Sequence, residues 1–400
     1  MRRWWRQACR LLGLIVLLMS PLSAAAAVPS AWLQFWSAYQ QHFIDPQGRV
    51  IDWVEGGITT SEGQSYALFF ALVSNEPQTF ARILSWTQKN LAQGNLAQNL
   101  PIWRWGKQDD GQWGPLSGNH AADSDLWIAY DLLQAGRLWN NEHYTQMGRS
   151  LAQQIAAQEI LPMKGAGPML IPGEKYFRFG ASLVINPSYL PPFLLASLAD
   201  ALPDGPWREM SKYLPRVIAK TSPHGFSPDW ISYSPDRGYF PAPQGVEGRY
   251  NAIRVYLWAG MTNPDTPGAK AVLDSLWGMA LYMKTHDLPP LQENYQSGLV
   301  QGTGPSGFSA ALLPFLVQYK MPEAAKVQLA RLEAERSPAT GLYGYPPVHY
   351  YNQNLALFGL GWYNGAYRFS PHGNLRPSWD RLSASPAGFR PVTDPLSRHG

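Results

Sequence analysis

The sequence predicts a mainly α protein built from antiparallel helix pairs, an α/α toroid. Apolar residues recur at helical spacing in a long succession of segments, near 62–74, 78–92, 124–136, 141–158, 188–201, 205–219, 251–260, 267–284, 307–319, 322–335 and 349–363. No stretch of comparable length alternates with period two. The connections are long and rich in aromatic and polar residues, so in a ring of helix pairs they gather at one end and wall a cleft. Short strand pairs are expected only in those connections, near 169–179 and 231–240.

Residues 1–27 read as a secretory signal. Arg2, Arg3, Arg6 and Arg10 form a basic start, residues 11–18 an apolar run too short to span a bilayer comfortably, and residues 24–27 a small-residue cleavage zone. The expected location is therefore the periplasm or the medium. The formal charge of +4 includes those four arginines and no acid from the same stretch. The mature chain is near neutral, which argues against a nucleic-acid partner. Cys9 is the sole cysteine and leaves with the signal, so disulfides and thiolate metal sites are excluded. Residues 28–375 form one domain without a linker. Residues 376–400, interrupted by Pro377, Pro386, Pro391 and Pro395, are expected to be a flexible tail.

The segment 58–67 (ITTSEGQSYA) sets one carboxylate, Glu62, at a helix start just ahead of the apolar residues Leu68, Phe69, Phe70, Leu72 and Val73. A carboxyl group there can face a cleft while the helix is anchored behind it. The plainer alternative is a capped helix start using Thr60 or Ser61. Asp123 and Asp125 stand at the next helix start, where either can cap; Asp125 is assigned that role or a structural pair, and Asp123 a functional one. Arg254, three residues after Asn251, shares its helix face and can hold a carboxylate or another hydrogen-bond acceptor.

Four ordered segments, 58–67, 119–130 (NHAADSDLWIAY), 186–192 (NPSYLPP) and 250–258 (YNAIRVYLW), together resemble the signature segments of glycoside hydrolase family 8, over about residues 30–375. The resemblance is strongest to the periplasmic endoglucanases encoded beside bacterial cellulose synthase. It implies a closed (α/α)6 barrel, an inverting endo-β-1,4-glucanase acting on cellulose, a functional association with a cellulose synthase complex, a monomer, and no cofactor. It casts Glu62 as the general acid and Asp123 as a ligand of the sugar beside the scissile bond. Ala122, Ser124 and Asp131 depart from the family pattern without removing that aspartate.

Residue 251 departs in a way that matters. The family's Tyr-Asp-Ala-Ile-Arg motif supplies the general base from its aspartate, and this chain has Asn251 between Tyr250 and Ala252. An amide orients a water but cannot take its proton. Three readings follow: another carboxylate (Glu247, Asp229 or Asp236) serves as base, the chain binds glucan without cutting it, or hydrolysis is slow and relies on Asp123 and ordered water. The first hypothesis is a retained but altered hydrolase; xylan and chitosan stay open as substrates. Trp103, Trp105, Tyr189 and Trp230 are the expected stacking surfaces for sugar rings, with Tyr250 and Arg254 also at the substrate. Trp127, Trp258 and Trp362 fall inside apolar helix patterns and are assigned to the core. The eight histidines show no two-ligand spacing on a helix, so no metal is expected, and the glycine-rich 302–307 segment is a turn that starts a helix.

Overall fold

Two kinds of helix alternate along the chain. The computed structural model describes residues 27–380, and among them stand thirteen helices: α1 (Ser30–Phe43), α2 (Ser61–Val73), α3 (Pro77–Leu91), α4 (Ala122–Leu138), α5 (Glu142–Gln158), α6 (Pro192–Ala201), α7 (Trp207–Thr221), α8 (Ala252–Met261), α9 (Ala269–Asp274), α10 (Trp277–Met283), α11 (Ser306–Gln318), α12 (Pro322–Ala334) and α13 (Tyr350–Tyr363). In α2 every residue except Glu62 is buried, and α8 is buried throughout. The helix that follows α4 differs: α5 buries a single stripe of Met147, Gly148, Leu151, Ala152 and Ile155. A helix apolar on all sides must be surrounded by protein, and one with a single stripe lies at the surface.

The packing matches that division. The buried helices α2, α4, α6, α8, α11 and α13 each contact the next, and α13 returns to α2, closing a ring. Around it, α3, α5, α7, α9 and α12 lie on α2, α4, α6, α8 and α11. The last pair is completed from the other end of the chain, where α1 packs on α13 and Trp32 Nε1 donates to Leu357 O at 2.9 Å. The result is a barrel of six helical hairpins. Close backbone approach makes two inner glycines necessary: a Cβ on Gly359 would lie 1.9 Å from Ala310 O, and one on Gly260 2.2 Å from Phe315 N.

Aromatic rings plug the barrel axis. Trp127 of α4 lies 5.3 Å from Trp258 of α8, 5.2 Å from Phe358 of α13 and 5.3 Å from Phe69 of α2, with Phe193 of α6 at 5.7 Å. Trp127, Trp258 and Trp362 are all buried, as their apolar patterns require. Such tilted and edge-on aromatic pairs add roughly 0.5–1.5 kcal/mol each beyond burial, so this layer is a rigid floor.

Strands occur in the connections. Thr59–Thr60, Arg104–Lys107 and Trp113–Pro115 form one antiparallel sheet that leads directly into α2. Glu247–Gly248, Pro290–Asn294 and Val300–Thr303 form another that leads toward α8. A four-stranded sheet joins Arg178–Phe179, Ser182–Ile185, Ile231–Ser234 and Gly238–Pro241, so the 231–240 region is a strand pair as expected, whereas the 169–179 region is divided between this sheet and a separate pair of Ile160–Met163 with Gly167–Leu170.

Four sequence expectations need correction. Helix α1 was not foreseen, and its buried Trp32, Phe35, Trp36, Tyr39 and Phe43 supply the outer face of the last pair. The segment near 188–201 divides into a 3-10 turn, Pro187–Tyr189, and α6, which restarts at Pro192, where proline tolerates a first turn. The segment near 267–284 breaks between α9 and α10 at residues 275–276. The tail begins later than residue 376: Leu375–Pro377 pairs with Tyr367–Phe369, and Trp379 Nε1 donates to Val73 O at 3.0 Å. The expected signal lies outside the described residues except for Ala27, as does the tail beyond Asp380.

Candidate active site

The N-terminal ends of the inner helices converge on one cleft, and the first turns carry its chemistry. Thr60 caps α2, accepting from Gly63 N at 3.1 Å, and its hydroxyl also meets Tyr350 OH of α13 at 2.9 Å. Trp103 O accepts from Ser61 N at 3.0 Å, so the 104–107 strand is fastened to the turn bearing Glu62. Ser124 Oγ lies 2.6 Å from Ser61 Oγ and 2.7 Å from Ala121 O, which joins the tops of α2 and α4. This clasp holds Glu62 and Asp123 as neighbours and gives Ser124 a role that a smaller residue there would lack.

Glu62 is a protonated acid near neutrality. Burial, then the nearby Asp123 carboxylate, push its pKa up to about 8. Those effects outweigh the helix N-terminus and Arg254, both of which favour the anion. Its Oε2 is buried without a hydrogen-bond partner among the described residues, as suits a group that spends its proton on an incoming molecule.

Asp123 is buried and held from two sides. Its Oδ1 accepts from Ser124 N at 2.9 Å, and its Oδ2 accepts from Arg254 Nη1 at 2.8 Å. Burial raises this carboxyl and the guanidinium pulls it back down. Arg254 is the hub of the site: Nη1 also donates to Tyr66 OH at 2.8 Å, and Nη2 donates to Asn251 Oδ1 at 2.7 Å. Its guanidinium carbon lies 5.6 Å from the centre of the Tyr189 ring.

Asn251 opens α8, and its carbonyl is occupied by Arg254. Of the three alternative carboxylates, Asp229 is joined directly to this turn. Its Oδ1 accepts from Arg249 N at 2.8 Å, Asn251 N at 3.0 Å and Ala252 N at 2.7 Å. It therefore caps α8 with one oxygen. Burial raises its pKa, opposed by those three amides and by Arg254. Glu247 folds back on its own strand, accepting from Val246 N at 3.1 Å, and Asp236 is exposed at a hairpin tip.

The aromatic residues divide in an unforeseen way. Trp103 and Trp230 are half-buried, Trp230 lying nearly parallel to Phe177 at 5.5 Å. Tyr250 is exposed beside Tyr351, whose hydroxyl donates to Tyr250 O. Tyr189 is buried at 7% exposure, so it supports Arg254 instead of offering an open face. Trp105 is engaged by its neighbours: Arg49 lies 4.7 Å from its ring, Trp113 5.4 Å and Trp86 5.2 Å. Trp113 shares those contacts, with Arg49 4.6 Å from its ring, but remains 49% exposed.

Tyr66, Tyr350 and Tyr351 were not singled out from sequence. The positional rule that found Glu62 and Asp123, a polar residue in the first turn of an inner helix, also finds Tyr350 and Tyr351 at the start of α13. A separate cavity of about 440 Å³, lined by residues such as Pro192, Asp200, Lys212 and His372, contains none of the groups described above.

The chain matches the family description "Glycosyl hydrolases family 8" over residues 9–365. It is 40% identical over 375 residues to an endoglucanase of Escherichia coli O157:H7, covering 93% of this chain and 98% of the relative. It is likewise 40% identical over 379 residues to an endoglucanase of Xanthomonas axonopodis pv. citri, covering 94% and 97%. The solved endo-1,4-D-glucanase of Vibrio fischeri superposes with a TM-score of 0.79 at 39% identity, over 87% of this chain and 99% of that one. A family 8 endoglucanase from Klebsiella pneumoniae, 22% identical over 82% and 98% with a TM-score of 0.67, shares the fold.

Proposed function

The chain belongs to glycosyl hydrolase family 8 and is an endoglucanase, and from that premise we propose that it cuts β-1,4-linked glucan internally with inversion at the anomeric carbon. The observation that carries the reading is the Glu62 carboxyl, whose Oε2 is buried and whose pKa is raised to about 8 beside the Asp123–Arg254 pair. Glu62 gives its proton to the leaving glycosidic oxygen as the bond to the anomeric carbon breaks. A water attacks that carbon from the opposite face. Asp123 binds hydroxyls of the same sugar while Arg254 holds it in place. With Asn251 unable to take the water's proton, Asp229 is the base: one oxygen caps α8 and the other accepts the proton.

The substrate is cellulose, and the chain acts outside the cytoplasm as a monomer. The supports are the signal-like residues 1–27 and the resemblance to endoglucanases encoded with cellulose synthase. Trimming the polymer as a synthase extrudes it is the cellular role we assign. The test has two parts. Reducing ends released from carboxymethyl cellulose establish cutting, and proton NMR of a short cello-oligosaccharide digest must show the α-anomer first. A β-anomer first overturns inversion. A second reading, a scaffold that holds glucan without cutting, is motivated by Asn251. A silent parent awakened by Asn251→Asp would establish it.

A further inference from the structure

Behind the catalytic turn, on the other side of α4 from Arg254, three side chains from separate segments meet. They are His120, just before α4; Asp125, in its first turn; and Glu159, which ends α5. One ligand atom from each lies within 4.8 Å of the other two. Asp125 is 0% exposed and Glu159 1%, and among the described residues no donor from outside the cluster reaches their four carboxylate oxygens, whose polar neighbours are one another and His120. His120 Nδ1 is also unpartnered, and stands 3.6 Å from Glu159 Oε1, too far for a hydrogen bond.

Buried carboxylates without donors cost several kcal/mol each in general, and two side by side repel. A single proton shared between Asp125 and Glu159 would satisfy at most two of the four oxygens. A shared proton also leaves one negative charge and the ring nitrogen without a partner, whereas a divalent cation that takes one oxygen from each carboxylate and the ring nitrogen neutralises both charges and engages all three side chains. We propose that His120, Asp125 and Glu159 bind a divalent transition metal, zinc by their chemistry, as a structural clamp between α4 and α5. One imidazole with two carboxylates suits zinc, whereas calcium and magnesium prefer oxygen alone. Zinc holds such atoms at about 2.0–2.2 Å, so small side-chain rotations close the site. His120, with 18% of its side chain exposed, is the side from which the ion enters. Sequence spacing concealed the site because only His120 and Asp125 are near one another in the chain.

The clamp fixes the end of α4 two residues from Asp123, so it positions catalytic machinery without touching substrate. The mature chain, produced with zinc and dialysed against metal-free buffer, is expected to retain about one zinc per chain by mass spectrometry. Stripping it with EDTA should lower Tm by about 3 °C or more, reversed by zinc or cobalt. His120→Ala should lose the ion and the EDTA sensitivity while remaining folded by circular dichroism; Glu159→Gln is the second variant. Cobalt bound there should show visible d–d absorption that His120→Ala abolishes. Neither readout involves sugar, so failure here is distinct from failure of the glucanase reading. A parent that retains no metal and whose Tm ignores zinc, cobalt and EDTA overturns the proposal, as does a metal content that His120→Ala leaves unchanged.

Discussion

The two walls of the cleft are built on the same principle and equipped differently. On the α2–α4 wall, Glu62 and Asp123 each occupy a helix first turn, clasped together through Ser61 and Ser124, with burial tuning the acid. On the α8 wall, the corresponding first turn presents Asn251, whose carbonyl is tied to Arg254, and the nearest carboxylate is one step removed as the helix cap. One wall is a complete proton donor. The other presents an amide at the corresponding place, with a carboxylate beneath it. Arg254 spans both, bonding Asp123 across the cleft and Asn251 on its own helix, so one guanidinium ties the two walls together.

Removing the donor should give the largest effect. Glu62→Gln is expected to lower reducing-end release by about 10⁴-fold while glucan binding by pull-down survives; a variant that cuts at the parent rate breaks the α2–α4 assignment. Next comes the other wall. Asp229→Asn should cost about 10²–10³-fold with little change in Tm, since asparagine caps a helix as well as aspartate does. Adding Asn251→Asp to it should restore much of the loss. No loss in the single variant would move the base elsewhere, with Glu247 tested next.

The pH profile sharpens the same contrast. As pH rises through about 8, Glu62 loses its proton and kcat/KM should fall. As pH falls, protonation of Asp229 should lower the rate, and because burial raises that group the limb should lie above the usual aspartate range. Asp229→Asn should flatten only the acid limb. The smallest effect belongs to the platform. Trp103→Ala should raise KM roughly fivefold, about 1 kcal/mol of stacking, and leave kcat nearly unchanged.

The inner helices were legible in the sequence because a helix buried on all sides reads as a long apolar run, and the motif residues fall at its start. Asp123, Glu62 and Arg254 came from that pattern, and the structure brings them together. What the sequence withheld depends on neighbours distant in the chain. Helix α1 is interpretable only beside α13, more than 300 residues away. Trp105 looks like an open ring until Arg49 and Trp113 are seen against it. Asp229 was one of three acids upstream of residue 251, and no spacing rule singles out the one that folds back on the α8 turn. Glu159 carries no local signal at all; its partners are assembled by the packing of α4 on α5.

The sixth hairpin has a history as well as a shape. Its outer member is made first and its inner member last, so a chain that emerges amino end first can pack Trp32 and Trp36 on Phe70 of α2 early but completes their cover only when residues 350–363 follow. Cover from α2 is only partial, because the α13 side of the pair does not yet exist. That interval is the time of greatest exposure to proteases and to other unfinished chains, and it ends only when the ring is sealed.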